Sequence, residues 1–438
     1  MKSRNLLIAA VILAALSGAV WWSKRHPETS ATPATPASPK LADISPGQIK
    51  QLDLTKKDGA TLTIDHQNGK WTIATPERLP ADQDAVNTLV GALNPVTADS
   101  VVDNHPSDPA RYGLKDPSLT VAVHETNGKT EQLYFGDDVP AGSLVYARVD
   151  SDPKIYAISS STKTSLDKSA NDLRDKRLLA FDSNQLTRIE LASAKSDVEF
   201  GKNNQNEWQI IKPQPYRADS FEVEELLRKL TDAKMDVASN DAKKTDAAFA
   251  AGQPVATAKV TDASGTETLE VRKNKDDYYA KSSGVKGIYK VSSDLGKELE
   301  KPLDDFRNKK IFDFGFSDLT RFEIQQGSSD KAYVRSGTDW KLNGQAMDAG
   351  SVQALIDKLR DLASTKFVAS GFTTPALTIT VSWDNGKRTD RAEFAKTNDG
   401  YIGRRGNEPA LYQFDAKAVN DILEASNAIK PAFSAKKK

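Results

Sequence analysis

Cysteine is absent from all 438 residues, which removes disulfides, thiolate nucleophiles and thiolate metal sites at once. It also excludes anchoring as a lipidated lipoprotein. Histidine is scarce: His26, His66, His105 and His124 are the only four, and no two have metal-ligand spacing. Net charge is missing as well, since 60 Lys and Arg stand against 60 Asp and Glu. No global field therefore recruits nucleic acid or an acidic substrate. The chain has no Gly-x-Ser-x-Gly, no Walker-type loop, no Gly-x-Gly-x-x-Gly after a strand, and no carboxylate run with calcium-loop spacing. No motif names a catalytic, metal or cofactor residue, and the expectation is a protein that is not an enzyme.

What is present begins with one long apolar run. Met1, Lys2, Ser3, Arg4 and Asn5 precede an uncharged stretch from Leu6 to Trp22, which as a helix spans about 26 Å. Trp21-Trp22 followed by Lys24-Arg25 has the character of an interfacial aromatic anchor with a basic flank. Residues 1–26 are accordingly expected to be a retained membrane anchor or uncleaved signal, with the rest of the chain exported. Pro27 to Pro39 is mostly Ala, Thr, Ser and Pro, a composition that buries no core. Residues 27–45 read as a stalk.

Beyond the stalk the same landmarks occur three times. Strands of period two begin at Gln51-Leu52-Asp53-Leu54, Arg188-Ile189-Glu190-Leu191 and Arg321-Phe322-Glu323-Ile324, and are expected to end at Trp71, Trp208 and Trp340. Asp82, Asp219 and Asp348 are each followed at +4 by Val and at +7 and +11 by Leu. Those spacings share one helical stripe, and the Asp suits the N-cap. Pro117, Pro254 and Pro375 then open alternating strands that turn at Gly128, Gly265 and Gly386. Tyr146, Tyr279 and Tyr401 pair with Tyr156, Tyr289 and Tyr412 in a second hairpin. The expected fold class is α+β: three tandem repeats of a β-hairpin, helix and antiparallel-sheet module, at residues 46–182, 183–315 and 316–438, behind an N-terminal transmembrane helix. Between helix and proline strand the third copy is shorter than the other two.

Two groups of residues are candidates for contact with a partner. Tyr112, Tyr146 and Tyr156 offer aromatic surface of the kind that grips glycans or peptides, against the plainer reading that the rings pack under a helix. Arg174, Lys176 and Arg177 form a basic joint after the first copy, repeated at Arg307, Lys309 and Lys310, suited to acidic partners or lipid headgroups unless it is a solvated helix face.

Through Tyr112-Gly113-Leu114 with Pro117, Phe135-Gly136, Tyr146, Ile155-Tyr156 and Leu173-Arg174-Asp175, the chain resembles the family catalogued as domain of unknown function 4340, over about residues 49 to 433. The resemblance implies a membrane-anchored extracytoplasmic protein, encoded near exporters similar to gliding-motility ABC transporters. The Tyr-Gly-Leu element is missing from copies two and three. The expectation is a single-pass protein of the bacterial inner membrane, its bulk in the periplasm, that binds or scaffolds a protein partner such as ABC exporter subunits. The alternative is an envelope hydrolase acting on cell-wall glycan or peptide through carboxylates of the first copy.

Overall fold

The computed structural model describes residues 22, 39–140, 142–237, 241–406 and 408–432. The anchor expected at 1–26, apart from Trp22, and residues 27–38 of the expected stalk lie outside them; the rest of that stalk is instead part of the first unit, where Lys40–Ala42 pairs with Val96–Thr97 and Leu41, Ala42 and Ile44 are buried in the core. Among the described residues no helix is long and apolar enough to cross a membrane. The chain divides into two compact units, residues 1–175 and 176–438. Both are mostly antiparallel sheet with a few helices, an α+β architecture.

The first unit is built on one nine-stranded sheet. Four strands, Ile49–Lys56, Thr61–Gln67, Lys70–Thr75 and Leu79–Pro80, meander to one edge. Leu119–Glu125, Thr130–Asp138, Leu144–Val149 and Asp152–Ser159 meander to the other, where Ser100–Asp103 closes the edge. The two halves join where Leu52 lies opposite Val123 and Leu54 opposite Val121. Alternation decides the core face: Leu52, Leu54, Ile64, Ile73, Val121, Val123, Leu133 and Phe135 are buried, and the residues between them face the other way. The helix Gln83–Gly91 lays Val86, Leu89 and Val90 onto that face. Each such apolar side chain contributes about 1.5–3 kcal/mol by leaving water.

The second unit holds two sheets, of eight and nine strands, whose order repeats that of the first unit around Arg188–Ser193 next to Gln253–Asp262 and Leu319–Gln326 next to Leu377–Trp383. Their core helices are Ser220–Thr231 and Ala349–Asp361. The N-cap expectation holds in all three helices: Asp82 accepts from the Asp84 and Ala85 amides, Asp219 from Phe221 and Glu222, and Asp348 from Ser351. The turn glycines Gly128, Gly265 and Gly386 all have positive φ.

One landmark is displaced. Trp71 and Trp208 do not end the hairpin but start its third strand, Lys70–Thr75 and Trp208–Lys212, after tight turns at Asn68-Gly69 and Asn206 in the left-handed region. The middle strand, more polar than its neighbours, carries too weak an alternation to announce itself. The core of the second sheet takes in Leu178 and Leu179, and that of the third Ile311, Phe312 and Phe314.

The three sheets differ in the segment between core helix and proline strand. In the first it makes the edge strand Ser100–Asp103 and a 3-10 turn, Pro109–Tyr112; in the second a helix, Ala242–Ala251; in the third only Lys366–Val368 before an irregular stretch. Each segment sends an aromatic ring over the face opposite the core. Tyr112 meets Tyr146, Phe249 lies under the Arg272 guanidinium, and Phe372 under that of Arg404.

Candidate functional site

Asp108 accepts from the Ala110 amide at 3.0 Å to start the 3-10 turn, and Gly113, at φ +69°, ends it. The turn is pressed onto the strand Thr130–Asp138 so closely that a Cβ on Gly136 would lie 2.0 Å from the Tyr112 carbonyl oxygen. Both glycines of the Tyr-Gly-Leu and Phe-Gly motifs are thus explained by backbone approach. The approach delivers the Tyr112 ring edge-on to Tyr146, centroids 5.1 Å apart and planes at 72°. The Tyr112 hydroxyl donates to Asp103 at 2.9 Å, and that bond, followed by burial, raises the phenol pKa. Half-buried aromatic surface with a carboxylate beside it suits contact with a polar or aromatic partner group. It holds no nucleophile.

Tyr156 does not join them. It faces the core at 4% exposure, opposite Ala147, and donates to Asp152 at 2.7 Å. Burial, then that bond, pushes its phenol up to about 12. The two tyrosines of the hairpin stand on opposite faces, so Tyr156 follows the plainer reading of a packed ring, and the candidate partner surface is reduced to Tyr112 and Tyr146. In the third sheet the pairing opposes Gly403 to Tyr412, which sets Tyr401 in the core, not at the outward place of Tyr146. A one-residue slip in alignment exchanges the faces.

His66 and His124, isolated from one another in the sequence, acquire partners in the fold. On the outer face of the first sheet, His124 Nε2 lies 2.9 Å from Asp53 and Nδ1 lies 3.0 Å from the Thr130 hydroxyl. A carboxylate only accepts, so Nε2 donates to Asp53 and Nδ1 is left facing the Thr130 hydroxyl. Asp53 also accepts from Thr63 at 2.7 Å and from Gln51. The signal was cross-strand register: Asp53 opposes both Ala122 and Thr63, which sets His124 on its own face. His66 stacks on Trp71. Among the described residues no group of three His, Cys, Asp or Glu is arranged to hold a metal ion.

A family model described as a domain of unknown function (DUF4340) matches residues 71–207 and again 208–380. The chain belongs to this family. The two DUF4340 matches begin on Trp71 and Trp208, the second and the first residue of the same strand in the first and second sheets. No curated protein and no solved structure matches the chain.

In this DUF4340 chain the basic joints are not helix faces; they run extended. Arg174, half-buried, pairs with Ala81 in the first unit, and the Asp175 amide donates to the Pro80 carbonyl. In the second unit Arg177 pairs with Lys234, and the Lys176 carbonyl accepts from Met235. The later joint does both within one unit: Arg307 pairs with Ala218 of the second sheet's region, and Lys310 with Ala363 of the third's. Arg307, 8% exposed, lies with its guanidinium carbon 4.0 Å from the Tyr216 ring centroid and 3.4 Å from that of Phe367. A residue expected to meet solvent or lipid is part of the interior.

Proposed function

We propose that the chain comprises three tandem copies of one module, carried outside the cytoplasm of a bacterium by an N-terminal transmembrane helix in the inner membrane, and that it binds or scaffolds a protein partner there. An ABC-type export complex is the partner class that the family resemblance suggests by association. The observation that carries the reading is a common sheet frame bearing a different covering segment each time, with Tyr112 and Tyr146 at the one in the first unit. Polar residues on the outer faces pair with one another, as Glu199 does with Arg188 and Lys212, and Glu393 with Arg391 and Arg404. Such frames present surface, and variable segments on a rigid frame are where recognition resides. Cross-linking the full-length chain in membranes is expected to capture a membrane-complex subunit, and Tyr112→Ala with Tyr146→Ala to abolish the capture. Recovery of the monomer alone from wild type sinks the reading.

A second reading, an envelope hydrolase acting on cell-wall glycan or peptide through carboxylates of the first copy, is favoured by the chain Asp53, His124, Thr130, in which a carboxylate orients an imidazole toward a hydroxyl. Hydrolysis of isolated cell wall by wild type, lost in Asp53→Asn, would sustain it. No hydrolysis by wild type ends it.

A further inference from the structure

Two arginines enter one ion network from the two sheets of the second unit. Arg217, on the edge strand Tyr216–Arg217 of the second sheet, donates to Glu408 at 2.6 Å, to Asp313 at 2.5 Å, to the Lys310 carbonyl at 2.5 Å and to the Tyr412 hydroxyl at 3.0 Å. Arg405, on the strand Gly400–Arg405 of the third sheet and 7% exposed, donates to the Ile311 carbonyl at 2.9 Å, to Asp313 at 3.3 Å and to both oxygens of Asp390, with Glu408 at 3.1 Å from its Nε. Asp313 and Glu408 each bridge both guanidiniums. Burial pushes the Tyr412 phenol up to about 12, so it keeps the proton that it donates to Glu408 at 2.5 Å. Two cations and three carboxylates are withdrawn from water together, an arrangement that holds only while every member has its partner.

Equivalent places are identified by equivalent hydrogen bonds, each with a main-chain group on at least one side. The Ser282 hydroxyl donates to the Leu178 carbonyl where Arg405 donates to that of Ile311. The Ala180 amide donates to Glu267 where that of Asp313 donates to Asp390. The Pro80 carbonyl accepts from Asp175 where that of Arg217 accepts from Asn308. One copy earlier, then, the places of Arg217, Asp313 and Arg405 hold Pro80, Ala180 and Ser282, none of which ionises. We propose that this cluster is a clamp specific to the junction of the second and third sheets, which makes the two unfold as one cooperative block. Arg217 supplies the second sheet's share, and the guanidinium of Arg307, between Tyr216 and Phe367, extends the same seam.

Urea-dependent hydrogen exchange on the full chain, read by mass spectrometry, tests the clamp through two central strands, Gln253–Asp262 and Leu377–Trp383. In wild type they are expected to open at one urea midpoint. In Arg217→Met, which leaves Asp313, Asp390 and Glu408 with the single cation of Arg405, their exchange rates should separate about tenfold or more. Tyr412→Phe removes one neutral hydroxyl, which accepts from Arg217 and donates to Glu408, and leaves the ions in place, so it stays folded and separates them about fivefold. Arg391→Ala, on the outer face, should leave a single midpoint. Two midpoints in wild type, or one midpoint retained in both Arg217→Met and Tyr412→Phe, overturns the proposal; if Arg217→Met does not fold, Tyr412→Phe decides it alone.

Discussion

Gly136 shows how much one missing methyl group decides. Its own φ is unremarkable, yet a Cβ there would meet the Tyr112 carbonyl oxygen at 2.0 Å and the Leu114 side chain at 3.1 Å. Gly136→Ala must therefore push the Tyr-Gly-Leu turn off the sheet. Overpacking of this kind destabilises by about 1–3 kcal/mol, expected as a lowered urea midpoint of the first unit and as a loosened contact between Tyr112 and Tyr146. An unchanged midpoint would show that the turn is not held against the strand. The glycine itself was visible in the sequence as part of a motif, but the reason for it was not, because the opposing carbonyl belongs to a residue far along the chain. Tyr156 teaches the same at the level of a face: its hairpin was legible, and its inward direction awaited the pairing with Ala147.

The three core helices were the most legible elements. An apolar stripe at +4, +7 and +11 follows from the pitch of the α-helix, and the Asp before it follows from unpaired amides at the first turn. Asp348 carries a pH consequence. Its bond from the Ser351 amide favours the ionised form, so its carboxyl pKa lies below the ordinary 3.8. A depressed carboxyl contributes its full stability above the unfolded pKa and loses it as pH falls through the folded one. Asn caps as well as Asp but does not titrate. Asp348→Asn should match wild type near pH 7 and show a smaller loss of urea midpoint between pH 5 and pH 3; an equal loss would place the titration elsewhere. The segments after these helices were not legible as elements. Their shapes are settled by what they cover: Phe249 is 7% exposed because the helix Ala242–Ala251 lies on the outer face of its sheet, against Arg272.

At the scale of the molecule, Leu173 is the last residue of the first core and Leu178 the first of the second. Residues 39–175 have their own sheet, helix and core, and a domain of this size buries about two-thirds of its unfolded surface. Expressed alone, that segment should give dispersed amide resonances and a single cooperative urea transition. A collapsed, non-cooperative product would mean that the first unit depends on the rest of the chain. By itself the sequence determined the period-two strands, the capped amphipathic helices, the turn glycines and their threefold recurrence, because each is a local pattern imposed by backbone geometry within a dozen residues. The tertiary structure alone decided which tyrosine faces out, why Arg307 of the second basic joint is buried and where Arg217 finds its partners. Arg217 and Tyr412 are 195 residues apart in the chain, and no local periodicity reports a contact closed across two sheets.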